Sequence, residues 1–231
     1  MTIVHKKSIC FICAHPDDLI GSAGLAFLMK ESGEFDLHII DFTHGEWGLR
    51  QDGIPDEECA EIRAAEEKKA CALLGAKLYF LDEKDGRSFA GYRVCEKMGD
   101  LLRDINPSLV TTHWPLDTHI DHVMCYATTM RALAMNNLNV KLLFFEESIQ
   151  TRAMPVHYYV GFDESVMKKK MELVRCYVSQ NTNDRIAERK LCEARYHGWK
   201  SEMKYAEPYG TIFQPDLSAT SILSAFPVQR A

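Results

Sequence analysis

The stretch from Ile9 to Gly21 limits the fold of this chain more than any other part of the sequence. Six apolar residues, Ile9 to Ala14, follow one another without alternation, which is the pattern of a parallel strand buried on both faces. A histidine, a proline and two adjacent carboxylates come next, at His15–Asp18, and small residues compatible with a helix follow them. The sequence therefore predicts a strand–helix unit with polar chemistry at the carboxyl end of its first strand.

Strand and helix patterns alternate along the rest of the 231 residues. Further strands are predicted over 37–42, 78–81, 108–113, 140–145 and 156–162, and helices over 17–31, 57–74, 94–105, 120–135, 164–177 and 184–204. Residues after 204 are expected to form a tail that contains Pro and Ser. The alternation is typical of an α/β, Rossmann-like, doubly wound fold, with a mostly parallel sheet and helices on both faces. We expect residues 1–231 to form one domain.

The composition narrows the classes of function. A net charge of −6 argues against a nucleic-acid partner, and the one basic cluster, Lys168–Lys170, is interpreted as a solvated helix face. No apolar run is long enough to span a membrane and no signal peptide is evident, so we expect a soluble, cytoplasmic protein with no membrane partner. The eight cysteines are interpreted as reduced core residues. Cys10 and Cys13 are three apart in a strand, so they should point to opposite faces and not form a redox pair.

A second histidine motif suggests what the first one does. Two neighbouring carboxylates beside His15 at a buried strand end repel each other unless a cation is present, and imidazole with carboxylate suits zinc. The stretch 117–122, which contains His119 and His122, follows another apolar run, and ligands bind at the carboxyl ends of parallel strands. One of these two histidines would complete a three-ligand site with His15 and Asp18, and the other would act on the substrate. Other divalent ions accept the same ligands.

The remaining groups suggest hydrolysis. Asp17 could take a proton from a zinc-activated water, and the free histidine, supported by Asp121, could stabilise an oxyanion and donate to a leaving amine. The alternative for the two carboxylates is a helix N-cap. The other histidines are interpreted as ordinary core or loop residues, namely His5, His38, His113, His157 and His197. Glycines 21 and 24 do not form a dinucleotide-binding fingerprint.

The two motifs, Ala14–Asp18 (Ala-His-Pro-Asp-Asp) and His119–His122 (His-Ile-Asp-His), make the chain similar to a known family. It resembles the PIG-L/LmbE-like zinc-dependent N-acetylglucosaminyl deacetylases, and most of all the bacillithiol-pathway N-acetylglucosaminyl-malate deacetylases. Weaker similarities extend from about residue 9 to 209. The resemblance implies that zinc is held by His15, Asp18 and His122. It also implies that Asp17 is the general base, and that His119 stabilises the oxyanion with Asp121 behind it.

The resemblance also implies substrate contacts. It places Arg63 and Asp85 at the sugar, although Arg63 could equally be an exposed helix residue that pairs with Glu66 or Glu67. Glu46 and Arg50 belong to the long 43–56 loop and are further candidates, and the two arginines hint at an anionic substrate group.

The predicted function is zinc-dependent removal of the N-acetyl group from a small N-acetylated amino-sugar conjugate. A related amide hydrolase acting on a thiol conjugate and a non-catalytic sugar- or nucleotide-binding protein are the alternatives. The sequence leaves open whether the chain forms a homo-oligomer.

Overall fold

The computed structural model describes residues 6–147, 149–212, 223 and 226–230. Its strands are β1 (Lys7–Cys13), β2 (Phe35–Thr43), β3 (Lys77–Glu83), β4 (Leu109–His113), β5 (Lys141–Phe145), β6 (Tyr158–Phe162), β7 (Tyr205–Gly210) and β8 (Val228–Arg230). Its α-helices are α1 (Ala23–Ser32), α2 (Asp56–Leu74), α3 (Tyr92–Ile105), α4 (Ile120–Met135), α5 (Glu164–Val174) and α6 (Arg185–Lys200). Short 3₁₀ turns lie at Asp18–Ser22, Arg50–Asp52 and Thr182–Asp184.

The strands form one sheet in the order β3-β2-β1-β4-β5-β7-β6-β8. The pairs from β3 to β5 are parallel, whereas β7, β6 and β8 pair in the antiparallel sense. This arrangement confirms the predicted α/β fold with a mostly parallel sheet. The carboxyl ends of β1 and β4 are neighbours, so the residues that follow them meet at one edge.

The helices cover both faces of the sheet. Side chains of α1, α2, α5 and α6 share one hydrophobic cluster with one face of β1, and those of α3 and α4 share a second cluster with its other face. Cys13 belongs to the first cluster and Cys10 to the second, which confirms that they point in opposite directions. The described helices include none that is long and apolar enough to cross a membrane.

The end of the chain differs from the prediction. Residues 205–210 were expected in a tail, but they form β7, which lies between β5 and β6. Pro208 and Gly210 conceal this strand in the sequence, since proline lacks an N–H and glycine lacks a side chain to pack. Pro208 pairs with Tyr159 of β6. The two residue pairs that join β7 to β5 involve Tyr209 and Gly210, so Pro208 lies outside them.

Two further expectations are corrected. The first helix was predicted from Asp17, but a 3₁₀ turn comes first and α1 begins at Ala23, because Asp17 has the left-handed backbone angle φ 108°. Lys170 was expected on a solvated face, but it is buried and its ammonium lies 2.6 Å from the carboxylate of Glu207 in β7. A buried cation of this kind requires an acidic partner.

Candidate active site

A cavity of about 300 Å³ opens at the carboxyl edge of the sheet. Seven of the ten predicted site residues line it, namely His15, Asp17, Asp18, Arg63, Asp85, His119 and His122. Asp121 lies directly behind them and is fully buried. Glu46 and Arg50 line a neighbouring cleft of about 400 Å³, and Trp47 borders both spaces. The structure therefore brings the two sequence motifs together.

Asp18 is the centre of the cluster. Its Oδ2 accepts hydrogen bonds from the backbone N–H groups of Ala14 (3.0 Å) and His15 (2.8 Å), so the turn after β1 fixes the carboxylate. The imidazoles of His15 and His122 lie 3.4 and 3.6 Å from its two oxygens. Neither Asp17 nor Asp18 caps α1 with its side chain, which removes the N-cap alternative.

His113 is a site residue that the sequence did not reveal. It is the last residue of β4, its Nε2 lies 3.2 Å from Asp18 Oδ2, and its ring stacks on His122 at 4.0 Å. Burial lowers its pKa to about 4. The interpretation of His113 as an ordinary core histidine is thus incomplete, and its position at a strand end, like that of His15 after β1, was the available signal. His38, His157 and His197 do not line the cavity, and His5 lies outside the described residues.

The histidines and carboxylates could hold a divalent ion. Among the described residues, potential ligand atoms lie within 4.8 Å of one another in three sets: His15/His119/His122, His15/Asp85/His119/Asp121 and Asp18/His113/His122. The predicted ligands His15, Asp18 and His122 are spread over these sets and meet pairwise, not as one compact trio. The cluster as a whole thus supports the prediction of a metal site, while the exact ligand set stays a prediction.

The electrostatics of the cluster fit a cation. Asp117 Oδ2 lies 3.2 Å from His122 Nδ1, on the side of the ring away from Asp18. Burial opposes a positive charge on His122, but the carboxylates of Asp18 and Asp117 raise its pKa above the usual value. Burial alone would lower the pKa of His15, but the carboxylates of Asp121, Asp18 and Asp85 raise it well above 6.5, which shows how strongly the site favours positive charge.

Asp17 is held in an unusual backbone conformation beside this cluster. Its N–H donates to Glu67 Oε2 (3.2 Å), and its Oδ1 accepts from Arg63 Nη2 (2.8 Å). Burial raises its pKa to about 6, against the opposing effect of Arg63. Arg63 also donates to the carbonyl oxygens of Pro16 and Gly45. Arg63 is therefore a buried partner of Asp17 in the cavity wall and not an exposed helix residue.

His119 and Asp121 are arranged differently from the expectation. His119 Nδ1 accepts a hydrogen bond from the backbone N–H of Asp121 (3.3 Å), so its proton lies on Nε2. The Asp121 carboxylate is 3.8 Å from that ring and instead bonds to His15 Nε2 (3.2 Å), Gly86 N (2.6 Å) and Ser88. Although burial opposes it, these bonds hold the pKa of Asp121 below its usual range. Asp121 thus contacts His15 more closely than His119.

The long loop after β2 forms one wall of the cavity. Asp85 Oδ2 accepts from the backbone N–H of Trp47 (2.9 Å), and Asp85 Oδ1 lies 3.3 Å from His15 Nε2. The guanidinium of Arg50 lies over the Trp47 ring at 3.9 Å and is half exposed. Glu46 is buried, 3.7 Å from the ammonium of Lys84. Arg50 and Glu46 are therefore separated from the histidine cluster by Trp47.

The opposite wall comes from elements that carried no recognisable motif. Glu147 follows β5 and Lys190 lies in α6, and their charged groups are 3.2 Å apart. Burial raises the pKa of Glu147 to about 7. Gln180 and Arg189 also line this side. No spacing in the sequence could have indicated that these segments meet.

Comparisons with known proteins place the chain in a family. The sequence model described as PIG-L: GlcNAc-PI de-N-acetylase matches residues 10–133. The diacetylchitobiose deacetylase of Thermococcus kodakarensis is 29% identical over 230 residues, covering 92% of this chain and 84% of that protein. The 4-oxalmesaconate hydratase of Pseudomonas putida is 25% identical over 113 residues, which are 47% of this chain and 44% of the hydratase.

Solved structures agree on the fold. The N,N'-diacetylchitobiose deacetylase of Pyrococcus horikoshii superposes with a TM-score of 0.76 at 23% identity, over 88% of this chain and 82% of that one. GalB, the 4-carboxy-2-hydroxymuconate hydratase of Pseudomonas putida KT2440, gives 0.77 at 21% identity, over 90% and 97%. The family match and the Thermococcus deacetylase both support the predicted deacetylase activity. Because the PIG-L match covers more than half of the chain and contains both histidine motifs, the chain belongs to the PIG-L family.

Proposed function

We propose that this chain is a zinc-dependent deacetylase that hydrolyses the acetamide of a small N-acetylglucosamine-containing molecule, giving acetate and a free amine. The observation that carries the proposal is the position of Asp17. Its carboxylate is held by Arg63 in the wall of the same cavity that contains the cluster of histidines and Asp18. A carboxylate held beside a potential metal site is the arrangement that hydrolysis by activated water requires.

The metal ligands that we propose are His15, Asp18 and His122. His113 and Asp117 lie behind them, where they contact Asp18 and His122 respectively. When bound, the ion would act as a Lewis acid that polarises the amide carbonyl and lowers the pKa of a water molecule. Zinc is the proposed ion because nitrogen and oxygen ligands of this kind suit it.

The side chains of the chain account for the proton transfers. Asp17 takes the proton from the attacking water, and Arg63 keeps its carboxylate in place during the transfer. His119 carries its proton on Nε2, because Nδ1 accepts the Asp121 N–H, so it can donate a hydrogen bond to the developing oxyanion. The proton held by Asp17 then goes to the nitrogen of the leaving amine as the carbon–nitrogen bond breaks.

The walls of the cavity would bind the sugar. Asp85 and Arg63 lie on one side, and Glu147, Gln180 and Lys190 lie on the other. These groups include acceptors and donors for sugar hydroxyls. The cleft beyond Trp47, with Arg50 and Glu46, is the proposed place for a further part of the substrate.

The test is acetate release from N-acetylglucosamine, N,N'-diacetylchitobiose and N-acetylglucosaminyl malate. We expect the wild type to release acetate and a primary amine in equal amounts from at least one of them. Asp17→Asn should lower kcat by about 100-fold or more while the protein keeps its metal, since it removes a general base. Asp52→Asn, on the exposed turn of the 43–56 loop, is the matched control and should leave the rate unchanged.

The alternatives predict different results. A thiol-conjugate amide hydrolase would cleave a larger thiol-containing amide in preference to these acetamides. A hydratase would release no acetate from any of them, and a binding protein would bind ligand with equal affinity in the wild type and in Asp17→Asn without turnover. Any of these three results would contradict the proposal.

A further inference from the structure

Two buried carboxyl groups lie close to Asp17, and the mechanism above uses neither. Asp41, near the end of β2, and Glu67, in α2, are both fully buried. Within the described part of the chain, neither pairs with a lysine or arginine, and both oxygens of Asp41 have no hydrogen-bond partner. Burial raises the pKa of Glu67 to about 7. Burying a carboxyl group without a cationic partner is costly, so the presence of these two groups here requires an explanation.

The backbone of Asp17 supplies that explanation for Glu67. Asp17 has φ 108° and ψ −23°, a left-handed conformation that residues other than glycine rarely adopt. Such a conformation persists only where surrounding contacts hold it. One of those contacts is the hydrogen bond from the Asp17 N–H to Glu67 Oε2, at 3.2 Å.

Helix α2 holds Asp17 from two sides. Arg63 and Glu67 are four residues apart, so they project from the same face of the helix. Arg63 donates to the Asp17 carboxylate and to the carbonyl oxygen of Pro16, while Glu67 accepts the Asp17 N–H. The thiol of Cys71, one turn further along, donates to the other oxygen of Glu67 at 3.5 Å. The carboxyl group of Glu67 is thereby fixed between its own helix and Asp17.

We infer that Glu67 is a positioning residue, which holds the Asp17 backbone so that the Asp17 carboxylate faces the reacting water; this inference rests on the proposed function. Glu67 acts through an acceptor oxygen and does not need a negative charge. Glutamine therefore replaces it, because its amide oxygen accepts the same hydrogen bond. Methionine does not, because it has a similar length and volume but leaves the Asp17 N–H unpaired.

The experiment compares Glu67→Gln and Glu67→Met by steady-state kinetics on the substrate with the fastest acetate release. We expect Glu67→Met to lower kcat by about 10- to 100-fold, as an unpaired buried donor beside the base would, with KM within about twofold. Glu67→Gln should stay within about threefold of the wild type. Glu66→Met is the matched control. Glu66 is the preceding residue, but its carboxylate bonds to Ser179 and not to Asp17, so kcat should be unchanged.

The inference is overturned if Glu67→Met keeps the wild-type kcat, or if Glu67→Gln and Glu67→Met lose it equally. Metal content is measured in parallel, and a loss of metal in Glu67→Met would also overturn it, because the effect would then not act through Asp17. A crystal structure of Glu67→Met supplies a readout independent of turnover. We expect the φ angle of Asp17 to leave the left-handed region, and retention of φ near 108° would refute the positioning role. A wild type that releases no acetate would instead contradict the proposed function, whatever the conformation of Asp17.

Discussion

Replacement of Glu207 by glutamine should destabilise the protein strongly. Glu207 lies in β7, is 2% exposed, and accepts hydrogen bonds from the N–H groups of Gly24 (2.7 Å) and Leu25 (3.0 Å) at the start of α1. It also accepts from the Tyr209 hydroxyl (2.9 Å) and the Lys170 ammonium (2.6 Å). One carboxylate thus joins three segments that are distant in the sequence.

The size of the effect follows from these contacts. Glu207→Gln retains one acceptor oxygen, loses the other, and leaves Lys170 buried, at 3% exposure, without its negative partner. Removing one member of a buried ion pair costs about 3–5 kcal/mol. For a chain of 231 residues, each kcal/mol shifts the melting temperature by about 2–4 °C, so we expect a fall of about 10 °C.

Urea denaturation followed by circular dichroism measures the loss directly. Glu172→Gln is the matched control, because Glu172 is exposed on the helix that carries Lys170, and it should change stability by less than about 0.5 kcal/mol. The double variant with Lys170→Met should be more stable than the sum of the single changes predicts, since it removes the stranded cation. A loss below about 1 kcal/mol in Glu207→Gln, or strictly additive losses, would show that Glu207 and Lys170 do not form a strong buried ion pair.

Three other predictions follow from the site. The raised pKa of Glu67, about 7, means that the folded chain binds this proton more tightly than the unfolded chain. The wild type therefore loses stability as the pH rises from about 4.5 to 7. Relative to the wild type, the free energy of unfolding of Glu67→Gln should increase by at most about 3 kcal/mol between pH 4.5 and 8.5, measured by urea denaturation. No relative increase would contradict this prediction. His113→Phe removes the imidazole beside Asp18 and should weaken metal binding by about 10- to 100-fold in a chelator competition assay, whereas unchanged affinity would remove His113 from the site. Gly86→Ala places a methyl group against the Trp47 ring at φ 69°, so it should cost about 1–3 kcal/mol and raise KM, and a fully stable variant would argue against this contact.

Much of the fold follows from patterns that are local in the sequence. Each uninterrupted apolar run became a strand, and each run with helical spacing became a helix, although the first helix begins at Ala23 and not at Asp17. The rule that parallel strands end at one edge then brought His15 and Asp18 together with His122, although about a hundred residues separate them. Prediction succeeded where one local pattern and one general rule were sufficient.

The failures share a physical cause. Pro208 and Gly210 weaken the local signal for β7, and pairing with β6 overrides it. His113 looks like a core residue because it ends an apolar strand, and only the packing against β1 shows that it faces Asp18. The partner of Arg63 could not be deduced either. The helix spacing offered Glu66 and Glu67, whereas Arg63 bonds to Asp17 in the left-handed turn after β1. Contacts between distant segments depend on packing, which spacing does not record.

Metal-dependent hydrolysis is tested most directly by titrating zinc into protein freed of metal with a chelator, while acetate release and bound metal are measured in the same samples. We expect no acetate release from the metal-free protein, and a rise in rate that is proportional to bound zinc and stops at about one ion per chain. His15→Ala and His122→Ala should neither bind the ion nor release acetate. Full activity in the metal-free protein, or one bound zinc per chain without any acetate release, would contradict metal-dependent deacetylation by this chain.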